Sequence, residues 1–113
     1  MCSSDLRITA LLYGGNDLFD ASKLTLARVN VSGGFGNDTL MGDSQTDVLS
    51  GEAGADLIRG NAGADTLTGG TEADDIDGGS EVDRIDVQDA DAIDTVRNSA
   101  LDQVFKNVDD VLL

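Results

Sequence analysis

An all-β solenoid, with short strands winding coil upon coil, is the fold class predicted for this 113-residue chain, on three observations. The first is a nine-residue period. Read from Gly33, the sequence runs GGFGNDTLM, GDSQTDVLS, GEAGADLIR, GNAGADTLT, GGTEADDID and GGSEVDRID. Self-similarity at a fixed period is the signature of a repeat architecture. The second is that three columns never change character. The first column holds Gly33, Gly42, Gly51, Gly60, Gly69 and Gly78, and the sixth holds Asp38, Asp47, Asp56, Asp65, Asp74 and Asp83. The eighth holds Leu40, Leu49, Ile58, Leu67, Ile76 and Ile85. The third is the placement of charge. Of a formal net charge of −15, −11 falls within Gly33–Asp86, along with 12 of the 14 glycines.

Each column has a physical reading. A glycine in every repeat marks a tight turn needing φ > 0, or a close backbone approach. A single Leu or Ile among polar or small neighbours marks a very short strand with one inward side chain. The Asp, two residues earlier, ends the turn. Each nonapeptide then makes half a coil, and eighteen-residue coils stack at about 4.8 Å with a thin column of Leu and Ile inside. High Gly, few aromatics and one-sign charge are otherwise marks of disorder. A disordered linker does not hold three residue types in register through six repeats, and 40% hydrophobic residues is too many for a solvating tail.

The composition excludes several functions. With no His and one Cys, the chain offers no His-ligated zinc, no His-based acid–base catalysis and no internal disulfide framework. Its acidity opposes nucleic acid and anionic membranes as partners. No apolar run approaches the roughly 18 residues of a transmembrane helix. Paired carboxylates perform glycoside hydrolysis in some enzymes, but every well-phased Asp here has a metal-ligand explanation. No nucleophile–base signature accompanies them, and a thin roll offers no sizeable pocket. The chain is therefore expected not to be an enzyme.

Stacking alternate repeats aligns Asp38, Asp56 and Asp74 on one edge, and Asp47, Asp65 and Asp83 on the other. Like charges one strand spacing apart repel by about 1 kcal/mol per pair even in water, and more as the loops dry. A hard divalent cation between loops reverses that sign. Carboxylates and turn carbonyls form an all-oxygen ligand set suited to Ca²⁺ with its flexible coordination, whereas Mg²⁺ demands rigid octahedra and keeps its waters.

These repeats resemble the hemolysin-type, or repeats-in-toxin (RTX), nonapeptide G-G-x-G-x-D-x-U-x, where U is a large apolar residue. The resemblance covers Gly33–Asp86. It implies a right-handed parallel β-roll, two nonapeptides per coil, that binds Ca²⁺ between stacked loops. Carried over by position, the ligands are the six sixth-column Asp residues, with loop carbonyls around the first-column glycines and around Gly36, Gly54 and Gly63. The implied sites are Asp38/Asp56, Asp56/Asp74, Asp47/Asp65 and Asp65/Asp83, so about four ions. The second position departs from the pattern at Asp43, Glu52 and Asn61, and the fourth at Gln45, Glu72 and Glu81. Sites on those loops are expected to be weaker or differently coordinated, with Glu72 and Glu81 as solvated loop residues.

The flanks read less regularly. In Leu12–Asp20, Gly15, Asp17 and Phe19 echo the fourth, sixth and eighth columns, three residues out of phase. Residues 10–32 therefore predict a degenerate opening coil, with Leu24, Leu26, Val29 and Val31 on two short strands. Stacked beneath Asp38, Asp17 would make a fifth site; an Asn-Asp turn is the equal alternative. After Asp86, Asp89, Asp91 and Asp94 persist, but Ala92 stands in the metal column. Residues 87–113 predict a C-terminal cap, with Leu101, Val104, Phe105, Val108 and Leu112 at helical spacing behind a capping-box-like start at Ser99. The last residues, Asp110–Leu113, are similar to the ends of RTX proteins exported by type I systems. Cys2–Leu6 is similar to a translated sequencing adapter. Residues 1–9 are therefore expected to be a sequencing scar and disordered start on a truncated fragment.

The resemblance implies a secreted, extracellular or cell-surface module that stays unfolded where Ca²⁺ is scarce and folds outside. It would support secretion and stability of a larger exported protein, with Ca²⁺ and type I secretion machinery as partners. Any catalytic domain would lie upstream, and the module itself is expected to be monomeric. The alternative is a structural segment of a cell-surface adhesin or matrix protein. An ice-binding face is disfavoured, because the outward seventh and ninth positions form no flat Thr ladder.

Overall fold

The computed structural model describes residues 6–24, 27–87, 94–97, 103–106 and 111–112. Its strands alternate between two parallel six-stranded sheets. One sheet stacks, in order, β1 (Leu6–Leu11), β3 (Ala27–Phe35), β5 (Val48–Ala53), β7 (Thr66–Thr71), β9 (Arg84–Val87) and β11 (Gln103–Lys106). The facing sheet stacks β2 (Leu18–Asp20), β4 (Thr39–Met41), β6 (Leu57–Arg59), β8 (Asp75–Asp77), β10 (Thr95–Arg97) and β12 (Val111–Leu112). Strand, turn, facing strand, turn: the chain is an all-β roll. Through the repeats the register advances by two nonapeptides per coil, as in Val48↔Thr66 and Thr39↔Leu57.

The eighth column is the core. Leu40, Leu49, Ile58, Leu67, Ile76 and Ile85 are all fully buried, joined by Val31, Val87 and Val96. Leu40, Ile58, Ile76 and Val96 are register partners along one sheet, and Val31, Leu49, Leu67 and Ile85 along the other. Each such side chain contributes about 1.5–3 kcal/mol of burial. Strands of three residues are sufficient because each carries one such side chain and is paired to a parallel neighbour.

The opening coil lies three residues out of the repeat frame. β1 pairs with β3 as Leu6↔Ala27 and β2 with β4 as Leu18↔Thr39. Three expectations for the flanks are corrected. Residues 6–9, expected within a disordered start, belong to β1 and pair with β3, which supplies a parallel edge for them. Val29 and Val31 do lie on a strand, but β3 runs for nine residues rather than being short. Leu24 stands outside it, exposed, in a turn where its N–H donates to the Ala21 carbonyl; Leu26 lies outside the described residues. The helical spacing after Leu101 does not make a helix over 103–106 or 111–112. β11 pairs in parallel with β9 (Gln103↔Arg84), and β12 with β10 (Thr95↔Val111). A helix this short is marginal alone, whereas the open edges of β9 and β10 present rows of unpaired N–H and C=O groups that template another strand. Ser99, Leu101, Val108, Asp110 and Leu113 lie outside the described residues, as do Cys2, Asp89, Asp91 and Ala92.

Candidate metal centre

Every sixth-column Asp sits one residue before a strand. Because side chains along extended backbone alternate faces, the Asp points inward with the apolar residue two positions later. All six are buried, between 0 and 3% exposed. One edge of the roll aligns Asp17, Asp38, Asp56 and Asp74, and the other aligns Asp47, Asp65 and Asp83.

One carboxylate oxygen of each residue is spoken for. On the first edge the N–H of Asp17 donates to Asp38 Oδ1 (2.7 Å), Asp38 to Asp56 (2.6 Å) and Asp56 to Asp74 (2.8 Å). On the second, Asp47 donates to Asp65 and Asp65 to Asp83, both at 2.8 Å. Each carboxylate thus accepts from the backbone one coil earlier. Hydrogen bonds to a charged acceptor are worth about 1.5–3 kcal/mol each, so the ladder ties coil to coil along both edges.

The other oxygen is left over. Oδ2 of Asp17, Asp38, Asp56 and Asp65 is buried and accepts no hydrogen bond. A Cβ placed on Gly33 would stand 2.5 Å from Asp38 Oδ2 and 2.8 Å from the Gly51 carbonyl. The same pair of oxygens, the loop's own Oδ2 and the next coil's glycine carbonyl, crowds Gly42, Gly51 and Gly60. None of the six first-column glycines has a positive φ. Close approach, not a left-handed turn, therefore makes this column glycine. The space it opens is lined by a buried carboxylate oxygen and a carbonyl, which is a fit for a hard cation and for nothing apolar. Among the described residues no three His, Cys, Asp or Glu side chains group as a metal cluster. Each cradle instead combines one carboxylate per loop with backbone carbonyls.

Positive φ belongs to the second and fourth positions. Gly36, Gly54 and Gly63 lie at 112°, 128° and 101°, where a Cβ would strike the carbonyl of the coil before. Glu52, Asn61, Glu72 and Glu81 also take positive φ, but only 73–77°. Glu72 and Glu81 are solvent-exposed. One loop differs: neither Asp43 nor Gln45 is among the positive-φ residues.

The buried carboxyls are electrostatically strained. Desolvation, opposed by the N–H of Asp38 and reinforced by the charges of Asp38 and Glu72, lifts Asp56 to about 6. Desolvation, with repulsion from Asp47, Asp83 and Asp43 outweighing the N–H of Asp47, lifts Asp65 to about 8. Burial raises Asp47 as well.

Sequence reasoning missed two residues. Asp94, fully buried, accepts the Asp74 N–H at 2.8 Å and continues the first-edge ladder two residues late. The signal was local: Asp94-Thr95-Val96 repeats the D-x-U spacing, and Val96 enters the core. Asp43, treated as a departure from glycine, is 2% exposed and lies inside the loop.

A family model for the RTX calcium-binding nonapeptide repeat matches residues 30–58 and 50–85. No curated protein and no solved structure matches the chain.

Proposed function

We propose, for a chain that belongs to the RTX calcium-binding nonapeptide repeat family, that it is a calcium-dependent folding module of a larger exported protein. Asp38, Asp47, Asp56, Asp65, Asp74 and Asp83 would hold the ions with the loop carbonyls, and Asp17 would do so at the opening coil. The single observation that carries this is that the buried Oδ2 atoms of Asp38, Asp56 and Asp65 lie beside glycine carbonyls with no hydrogen-bond donor to satisfy them. Bound calcium supplies the positive charge that makes this burial favourable. An unpaired buried carboxylate is otherwise among the most costly groups in a fold.

The consequence is a switch. A metal that binds only the folded chain stabilises it by about 2.7 kcal/mol per site at a hundredfold excess over Kd. A few such sites exceed the stability of a small domain. Where calcium is scarce, repulsion along both edges favours the unfolded chain, the form that can pass a secretion channel; external calcium then folds it. Circular dichroism tests the switch. In chelator the chain should be largely unfolded, and about 5 mM Ca²⁺ should induce β structure cooperatively, with Mg²⁺ much less effective. A spectrum unchanged by calcium would overturn the proposal.

A further inference from the structure

The loop Gly42–Asp47 breaks the pattern of its neighbours in a specific way. Elsewhere the sixth-column carboxylate has one oxygen in the ladder and its Oδ2 is the leftover buried acceptor, as in Asp38, Asp56 and Asp65. Here Asp47 is satisfied at both oxygens. Oδ1 accepts the Val29 N–H at 2.9 Å and Oδ2 accepts the Asp43 N–H at 2.8 Å. The leftover acceptor has moved to Asp43. Its Oδ1 accepts the Gln45 N–H at 2.6 Å in an Asx turn, while its Oδ2 is buried without a hydrogen-bond donor. Asp43 also lies near enough for its charge to act on both Asp47 and Asp65.

We infer that Asp43 is a calcium ligand in its own right, its Oδ2 serving in the loop where both oxygens of Asp47 are taken by backbone N–H groups. The inference rests on the calcium reading above and adds a ligand that the nonapeptide pattern does not contain. The other repeat loops bring one buried carboxylate each; this one brings two. Charge count is a main lever on the affinity of calcium sites. The added carboxylate stands at the upstream end of its edge, where the ladder meets Val29 rather than another Asp.

The test is calorimetric titration of the full chain with Ca²⁺, comparing wild type with Asp43→Asn and Asp43→Gly. Asn keeps an acceptor for the Gln45 N–H and removes only the charge; Gly restores the family's second-position residue. Both variants should fold in saturating Ca²⁺, while calcium affinity weakens by about tenfold or more. Titrations of both Asp43 variants that superimpose on wild type would overturn the inference while leaving the calcium function standing. So would failure of both to form β structure at saturating Ca²⁺, which would assign Asp43 a structural role. A wild-type chain that binds no Ca²⁺ would overturn both.

Discussion

The two edges of the roll begin differently. On the first edge the opening loop, Leu12–Asp17, keeps the repeat geometry: Tyr13 lies at φ 67° and Gly15 at 103°. On the second, the opening loop is Gly42–Asp47, and neither Asp43 nor Gln45 takes a positive φ. Further along both edges, Glu52, Asn61, Glu72 and Glu81 are held at positive φ although none is glycine. In Gly42–Asp47 the local side chains decide: Asp43 accepts the Gln45 N–H in an Asx turn and donates its own N–H to Asp47.

The largest effects should come from residues flanked by a ligand loop on both sides. Asp56→Asn and Asp65→Asn each keep an acceptor for the ladder N–H but remove the charge of a carboxylate shared by two proposed sites. Each should cost about 3 kcal/mol in calcium, read from urea midpoints at fixed Ca²⁺. Asp83→Asn, which serves one of those sites, should cost less; equal losses would argue against shared ligation.

Gly51→Ala and Gly60→Ala come next. The added methyl would meet the Oδ2 of Asp56 or Asp65 and the carbonyl of the following coil, so each should destabilise by about 2 kcal/mol and weaken calcium binding. An alanine variant that binds calcium normally would show the cradle to be roomier than the geometry indicates.

The pH response should change sign with metal. Asp56 and Asp65 are raised from 3.8 to about 6 and about 8. In the metal-free chain their stabilising protonation is complete below about pH 4, then lost as pH rises through 6 for Asp56 and 8 for Asp65. Calcium-free protein should therefore gain β signal on acidification from pH 8 to 4. Calcium-loaded protein should lose affinity over the same range, because protons compete for the carboxylates. Circular dichroism with and without Ca²⁺ separates the two; a metal-free signal flat with pH would contradict the buried-acid account.

The smallest effect isolates the loop comparison itself. Glu72→Gly should stabilise by about 1 kcal/mol, because it relieves a left-handed non-glycine residue. Gln45→Gly should destabilise by about 0.5 kcal/mol, because it adds unfolded-state freedom and relieves no left-handed residue. Equal changes in melting temperature for the two would mean that the loops do not differ.

The repeat region was legible because its information is local and periodic. Gly, Asp and Leu or Ile at fixed spacing set the turn, the inward acid and the core residue. That an eighteen-residue coil must stack then follows from chain geometry. What stayed hidden depends on a neighbour one coil away. The helical spacing after Leu101 carries no record of the open edge of β9, and Ala92 conceals that a two-residue slip brings Asp94 under Asp74. Asp43 was visible as a residue and invisible as an acceptor, because its role depends on which N–H groups the folded loop presents.

By itself, then, the sequence determined the β-roll, its core column and the concentration of acid along two edges, since each follows from period, side-chain alternation and charge. Only the tertiary structure decided which carboxylate oxygens are satisfied by backbone and which are left for a cation. That division is made by hydrogen bonds between coils 18 to 21 residues apart, where no local pattern reaches.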